Sequence, residues 1–99
     1  MPREVRLTDR AKADRNAIWL HIAVDRIGAA DRILERLDDV FRLLSDNPDA
    51  GPSKPRLGRG IRTFTVEGYV ICYRVTAEAI EVIAILHGAR NITRRLLEE

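Results

Sequence analysis

Cysteine occurs once in the 99 residues, as Cys72, so the chain cannot close an internal disulfide, and that fits a reducing compartment. Long apolar runs are missing as well. Nothing approaches the roughly 18 apolar residues of a membrane span, and the start, MPREVRLTDR, has no apolar core of a signal peptide. The expectation is a cytoplasmic protein that does not enter membranes. Histidine is scarce: His21 and His87 are too few and too far apart in sequence to propose a metal site. There is no GxxxxGK phosphate loop, HExxH, CxxC or GxSxG, so neither a bound cofactor nor the common nucleophile and metal chemistries are supported. Charge of one sign is not in large excess. A net charge of +2 does not predict sequence-specific DNA binding, because dedicated nucleic-acid binders concentrate more charge on one face.

What is present suits a single domain spanning residues 1–99: 45% apolar and 32% charged, with enough chain for one core. Residues 60–93 read as three short strands joined by tight turns. Tyr69, Ile71, Tyr73 and Val75 alternate with Val70, Cys72, Arg74 and Thr76, the period of a strand whose two faces see different surroundings. Glu67-Gly68 and Thr76-Ala77-Glu78 are short enough to close antiparallel hairpins. Such a meander needs a cover for its apolar face.

The cover precedes it. Arg3 to Leu7 alternates charged and apolar residues and predicts a first strand. Thr8 or Asp9 offers an N-cap for a helix running to Ile27, with Ala11, Asp14, Ile18, His21, Ile22 and Asp25 on one stripe and Trp19 as a core anchor. Gly28 breaks the pattern. A second helix from about Ala29 to Ser45 carries a clean stripe of Ala30, Ile33, Leu34, Leu37, Val40, Phe41 and Leu44, and stops at Asn47-Pro48. Residues 49–60, with two prolines and three glycines, form a loop. In the last nine residues Leu96 and Leu97 seek a surface. The predicted fold class is α+β, in the order β-α-α-β-β-β: a helical hairpin on one face of a small, mostly antiparallel sheet, with the other face partly open.

On that sheet, Arg62, Phe64, Val70, Cys72 and Arg74 are expected on the open face, and Ile61, Tyr69, Ile71, Tyr73 and Val75 against the helices. A one-residue slip reverses such an assignment. Lys54, Arg56, Arg59 and Arg62, and again Arg90, Arg94 and Arg95, make basic clusters that read either as solvated loops or as a basic edge meeting an acidic partner. Cys72 reads as a small sheet-face residue, and Tyr69 and Tyr73 as core residues whose hydroxyls reach solvent.

One composite pattern carries a resemblance. Arg62-x-Phe64, then Tyr69 to Val75, then a strand ending in LHGARN, preceded by the helix DRAKADRNAIWLHIA and the Asn47-Pro48 break, resembles the RelE/ParE superfamily of type II toxins, and its ParE branch most. The resemblance spans essentially the whole chain. It implies a toxin that joins a cognate ParD-like antitoxin in a hetero-oligomer, the antitoxin tail wrapping over it. ParE-like members poison DNA gyrase and are not enzymes themselves; RelE-like members cut messenger RNA in the ribosome. For the second activity the resemblance offers Arg62 and Arg90 as basic groups and His87 as a general base, but Phe64 and Val70 stand where further charges are expected and Leu96 stands near the place of a catalytic tyrosine. For the first, it implies a binding surface formed by Arg62, Phe64, Val70, Arg74, Arg90, Arg94 and Arg95.

Overall fold

A computed structural model describes residues 2–88 and 91–98. The chain runs β1 (Glu4–Leu7), α1 (Asp9–Ala23), α2 (Ile27–Asp46), a single 3-10 turn (Pro55–Leu57), β2 (Ile61–Val66), β3 (Tyr69–Val75), β4 (Ala79–His87) and α3 (Arg94–Glu98). The four strands form one sheet in the order β1-β4-β3-β2, antiparallel except for the parallel β1–β4 pair. The expected α+β arrangement is the one found. α1 and α2 cover one sheet face, and their stripe of Ala11, Ile18, Leu37, Val40, Phe41 and Leu44 meets Val66, Ile71, Tyr73, Ile80, Val82 and Ile85.

Thr8 starts α1, accepting a hydrogen bond at its hydroxyl from the Ala11 N–H at 3.1 Å. The same residue serves the sheet. β1 stops at Leu7, opposite Val82, which leaves the rest of the β4 edge without a strand partner. Thr8 N–H donates to the Val82 carbonyl (3.0 Å), the Thr8 hydroxyl donates to the Ile83 carbonyl (2.9 Å), and Asp14 accepts from the Ile85 N–H (2.9 Å). The first two turns of α1 thus satisfy backbone groups that burial would otherwise penalise. They do so beside an irregularity: the β3–β4 register shifts between Cys72 and Tyr73, which leaves Ile83 as the extra residue of a bulge.

Two expectations about the hairpin are corrected. The break falls at residues 24–26 rather than at Gly28, which lies in the first turn of α2. There the N–H groups of Asp25 and Arg26 both return to the Ile22 carbonyl, and Arg26 is extended, so the reversal needs no glycine. The α1 stripe is also narrower than expected. His21 and Asp25 are exposed, and Trp19 lies outside the core, half-buried, its indole N–H donating to Asp31 on α2 at 2.9 Å.

The second sheet face is less open than expected. Cys72, Ala84 and Leu86 are buried there beneath Ile92 and Leu97 of the C-terminal segment. Two arginine side chains hold that segment by its backbone: Arg10 donates to the Leu96 carbonyl, and Arg56 donates to the Ile92 carbonyl at 2.9 Å.

Candidate functional site

The hairpin between β2 and β3 decides where the predicted site residues point. Glu67 and Gly68 both have positive φ (50° and 82°), which is the backbone of a two-residue type I′ turn. Such a turn sets Val66 opposite Tyr69, Phe64 opposite Ile71 and Arg62 opposite Tyr73. Directly opposed residues of an antiparallel pair share a face. Arg62 and Phe64 therefore lie on the helix side with Ile71 and Tyr73, while Ile61, Thr63 and Thr65 lie on the far side with Arg74, Cys72 and Val70. The expected face assignment is corrected for β2 and stands for β3.

Tyr73 and Arg62 together fasten the loop that follows α2. Tyr73 is fully buried, and its hydroxyl does not reach solvent. It donates to the Pro48 carbonyl (2.8 Å) and accepts from the Gly51 N–H (2.9 Å). Burial raises the Tyr73 phenol above its ordinary value, partly offset by the Gly51 hydrogen bond. A side chain at position 51 would collide with the Thr63 carbonyl and the Tyr73 hydroxyl, so only glycine fits there. Half-buried Arg62 holds the same turn from its other side, donating to the Gly51 carbonyl at 2.7 Å and pairing with Asp49 at 3.5 Å. Beside it, Phe64 packs on the core and lines an open groove of about 630 Å³ with Leu43, Asn47, Pro48, Asp49 and Ala50.

On the far side, Val70 packs on the Cys72 cluster. Arg74 donates to the Arg59 carbonyl (3.2 Å) and approaches Glu81 at 3.8 Å. With Leu57, Ile61, Arg94 and Leu97 it lines a cavity of about 240 Å³. Arg94 and Arg95 are exposed on α3, and Arg90 lies outside the described residues. His87, at the end of β4, is exposed and stands edge-to-face with Tyr69, ring centres 5.5 Å apart.

Of the residues named for proton transfer, the two that are described, Arg62 and His87, do not converge. His87 pairs with Tyr69 and Arg62 pairs with Tyr73, so the two stand four strand positions apart, roughly 13 Å along the sheet. Cys72 is fully buried, and desolvation pushes its thiol up to about 11, far from a reactive thiolate. Among the described residues, no three His, Cys, Asp or Glu side chains stand close enough to share a metal ion.

Comparison with known proteins identifies the lineage. The family model for the ParE toxin of the type II toxin–antitoxin system parDE matches residues 5–92. The chain belongs to the ParE toxin family. It is 33% identical to Toxin ParE1 of Caulobacter vibrioides over 94 residues, covering 92% of this chain and 95% of that one. Toxin ParE3 of the same organism is 33% identical over 70 residues, 71% of this chain and 70% of the relative. Among solved structures, a chain of the chromosomal ParDE system of P. aeruginosa superposes with a TM-score of 0.74 at 24% identity, over 86% of this chain and 95% of that one. A chain of the RelBE2 toxin–antitoxin complex of Mycobacterium tuberculosis gives 0.66 at 22%, over 88% and 99%. At those identities the structures speak for the fold, which is that of the RelE/ParE superfamily; the family match and the sequence relatives place this ParE toxin in the ParE branch.

Two features of this region leave no direct signal in the sequence. The loop clamp by Tyr73 and the arginine clamps on the C-terminal segment join residues 22 to 86 positions apart, and no local spacing announces such contacts. The signals available were the pair of prolines in residues 49–60 and the apolar Leu96 and Leu97.

Proposed function

We propose that this ParE-family toxin acts by binding rather than by catalysis, that its target is DNA gyrase, and that a ParD-like antitoxin silences it in the cytoplasm as a toxin–antitoxin hetero-oligomer. The observation that carries the reading is the separation of Arg62 from His87, with uncharged Phe64 and Val70 between the strand positions that a phosphate-stabilising face would fill. A surface that stabilises a charged transition state needs converging donors. This one offers apolar anchors ringed by arginines, the make-up of a protein-binding patch.

Two regions of that make-up lie on opposite faces of the sheet. One is the groove at Phe64, Leu43 and Pro48, shaped by the Tyr73–Arg62 clamp. The other is the far side around Val70, Arg74, Arg94 and Arg95, where an acidic antitoxin tail complements the arginines. An antitoxin tail that wraps from the far side around to the Phe64 groove silences the toxin by covering what the gyrase contacts. The toxin alone makes no sequence-specific DNA contact in this scheme.

The test is a supercoiling assay with purified gyrase, ATP and antitoxin-free toxin, run beside a ribosome-programmed mRNA cleavage assay. Loss of supercoiling with accumulation of cleaved DNA and intact mRNA is the expected result. Codon-edge cuts in the mRNA with normal supercoiling would overturn the proposal in favour of a RelE-like endoribonuclease. Substituting Phe64 by Ala should weaken gyrase inhibition at least tenfold, a loss of about 1.4 kcal/mol of binding.

A further inference from the structure

α1 carries a second apolar face that nothing among the described residues covers. Its buried side is Ala11, Ile18 and Ile22. On the opposite side Ala13, Ala17, Leu20 and Val24 are all exposed, Leu20 to 62% and Val24 to 85%. Their spacing is four, three and four residues, the step that keeps a stripe in line along a helix and the step of a helix–helix seam. Beyond the reversal, Ile27 at the start of α2 is 62% exposed as well. A groove of about 420 Å³ lined by Asn16, Trp19, Leu20 and Leu34 runs alongside and widens the apolar strip towards α2.

A solvated helix face in this protein looks different. The outer side of α2 presents Asp31, Arg32, Glu35, Arg36, Asp39 and Arg42, all exposed and all charged. An apolar stripe left exposed on the side away from the core marks an interaction surface.

The side-chain sizes point to the occupant. From the amino-terminal end the stripe runs small, small, large, large: Ala13, Ala17, Leu20, Val24. An antiparallel copy of the same helix, related by a two-fold axis between positions 17 and 20, sets Leu20 of each chain on Ala17 of the other and Val24 on Ala13. Small opposite large is the interdigitation that fills a seam without voids, and a two-fold makes it twice over. A parallel pairing leaves alanine facing alanine at one end and crowds leucine on leucine at the other, and it sets the helix dipoles side by side in the same direction. We propose that this face is a self-association surface, on which two copies pair through antiparallel α1 helices. α1 is about 22 Å long, so one seam buries less than the roughly 800 Å² per partner of a standard interface, and the dimer is a weak one that dissociates on dilution. The proposal is independent of the gyrase reading.

Sedimentation velocity of the antitoxin-free chain, from about 10 µM to about 1 mM, tests it. The weight-average mass should rise from the 11.2 kDa of one chain towards twice that value. Leu20→Glu should hold it at the monomer throughout, while Arg32→Ala, on the charged face of α2, should leave the curve unchanged. The register has its own readout: an equimolar mixture of A17C and L20C chains should form interchain disulfides faster than either variant alone. A wild-type chain that stays monomeric to the highest concentration overturns the proposal, as does a dimer that Leu20→Glu leaves intact or cross-linking that favours like with like. If Leu20→Glu instead weakens the toxin–antitoxin complex while the free chain is monomeric, the stripe belongs to an antitoxin helix and the dimer is refuted.

Discussion

Replacing Tyr73 by Phe removes one oxygen atom and leaves the core packing intact, so its effect isolates the clamp on residues 48–51. The hydroxyl makes two hydrogen bonds of unequal consequence. The Pro48 carbonyl is half-buried, and water can replace the donor it loses. The Gly51 N–H is buried and points at the hydroxyl from 2.9 Å, so removing the hydroxyl leaves a buried donor without its partner. An orphaned buried N–H costs about 1–3 kcal/mol, so Tyr73→Phe should lower stability by about 2 kcal/mol. For a domain of this size that corresponds to a drop in Tm of roughly 8–16 °C. Urea unfolding followed by circular dichroism gives the free energy, with an unchanged m-value showing that the denatured state is the same. The clamp has two arms, because Arg62 holds the Gly51 carbonyl while Tyr73 holds the Gly51 N–H. Arg62→Ala should therefore cost less in the Tyr73→Phe background than in the wild type, with a coupling of at least about 0.5 kcal/mol. Tyr69→Phe is the control and should fall within about 0.5 kcal/mol of wild type. A Tyr73→Phe protein as stable as Tyr69→Phe would refute the clamp, and with it the claim that the Phe64 groove has a fixed shape.

Three further outcomes can be measured on the same material. Glu67 occupies the left-handed region that a type I′ turn requires and that costs a side-chain-bearing residue about 1 kcal/mol; Glu67→Asn should raise the unfolding free energy by about 0.5–1 kcal/mol, read as a higher urea midpoint, even though it gives up the exposed ion pair to Arg36, and a loss of stability would show that the turn is of another kind. Stability should fall at alkaline pH, because the Cys72 thiol is held near 11 when folded against an ordinary 9.0 and Tyr73 is raised as well. A raised folded value means the unfolded chain loses its proton first, so the stabilisation is complete below about pH 9 and is lost as pH climbs towards 11, on the order of 2 kcal/mol from the thiol; Cys72→Ala should flatten that part of the profile. Arg56→Ala should speed tryptic cleavage at Arg94 and Arg95 several-fold while costing less than about 1 kcal/mol globally, since the bond it removes is an exposed one to the Ile92 carbonyl.

The boundary between what could be read from the sequence and what could not follows the range over which each signal acts. The α2 stripe, the proline stop after Asn47 and the Glu67-Gly68 turn are local, and all three are in the structure where the residues put them. The face of β2 was misassigned although its turn was recognised, because alternation gives a strand two faces without saying which one is covered; only the pairing of Val66 with Tyr69, imposed by a two-residue loop, ties the faces of β2 to those of β3. Counting back from that loop would have placed Phe64 and Arg62 beside Ile71 and Tyr73. The α1 helix failed differently. The expected stripe ran through His21 and Asp25, with Trp19 as its anchor, and all three lie outside the core. Separated by angle, the apolar residues of the helix give a buried line through Ala11, Ile18 and Ile22 and an exposed line through Ala13, Ala17, Leu20 and Val24. The contacts that shape the site, Tyr73 to Gly51 and Arg10 to the Leu96 carbonyl, leave no trace in the sequence, because a tyrosine in a strand and an arginine in a first helical turn look the same whether or not a distant backbone comes to meet them.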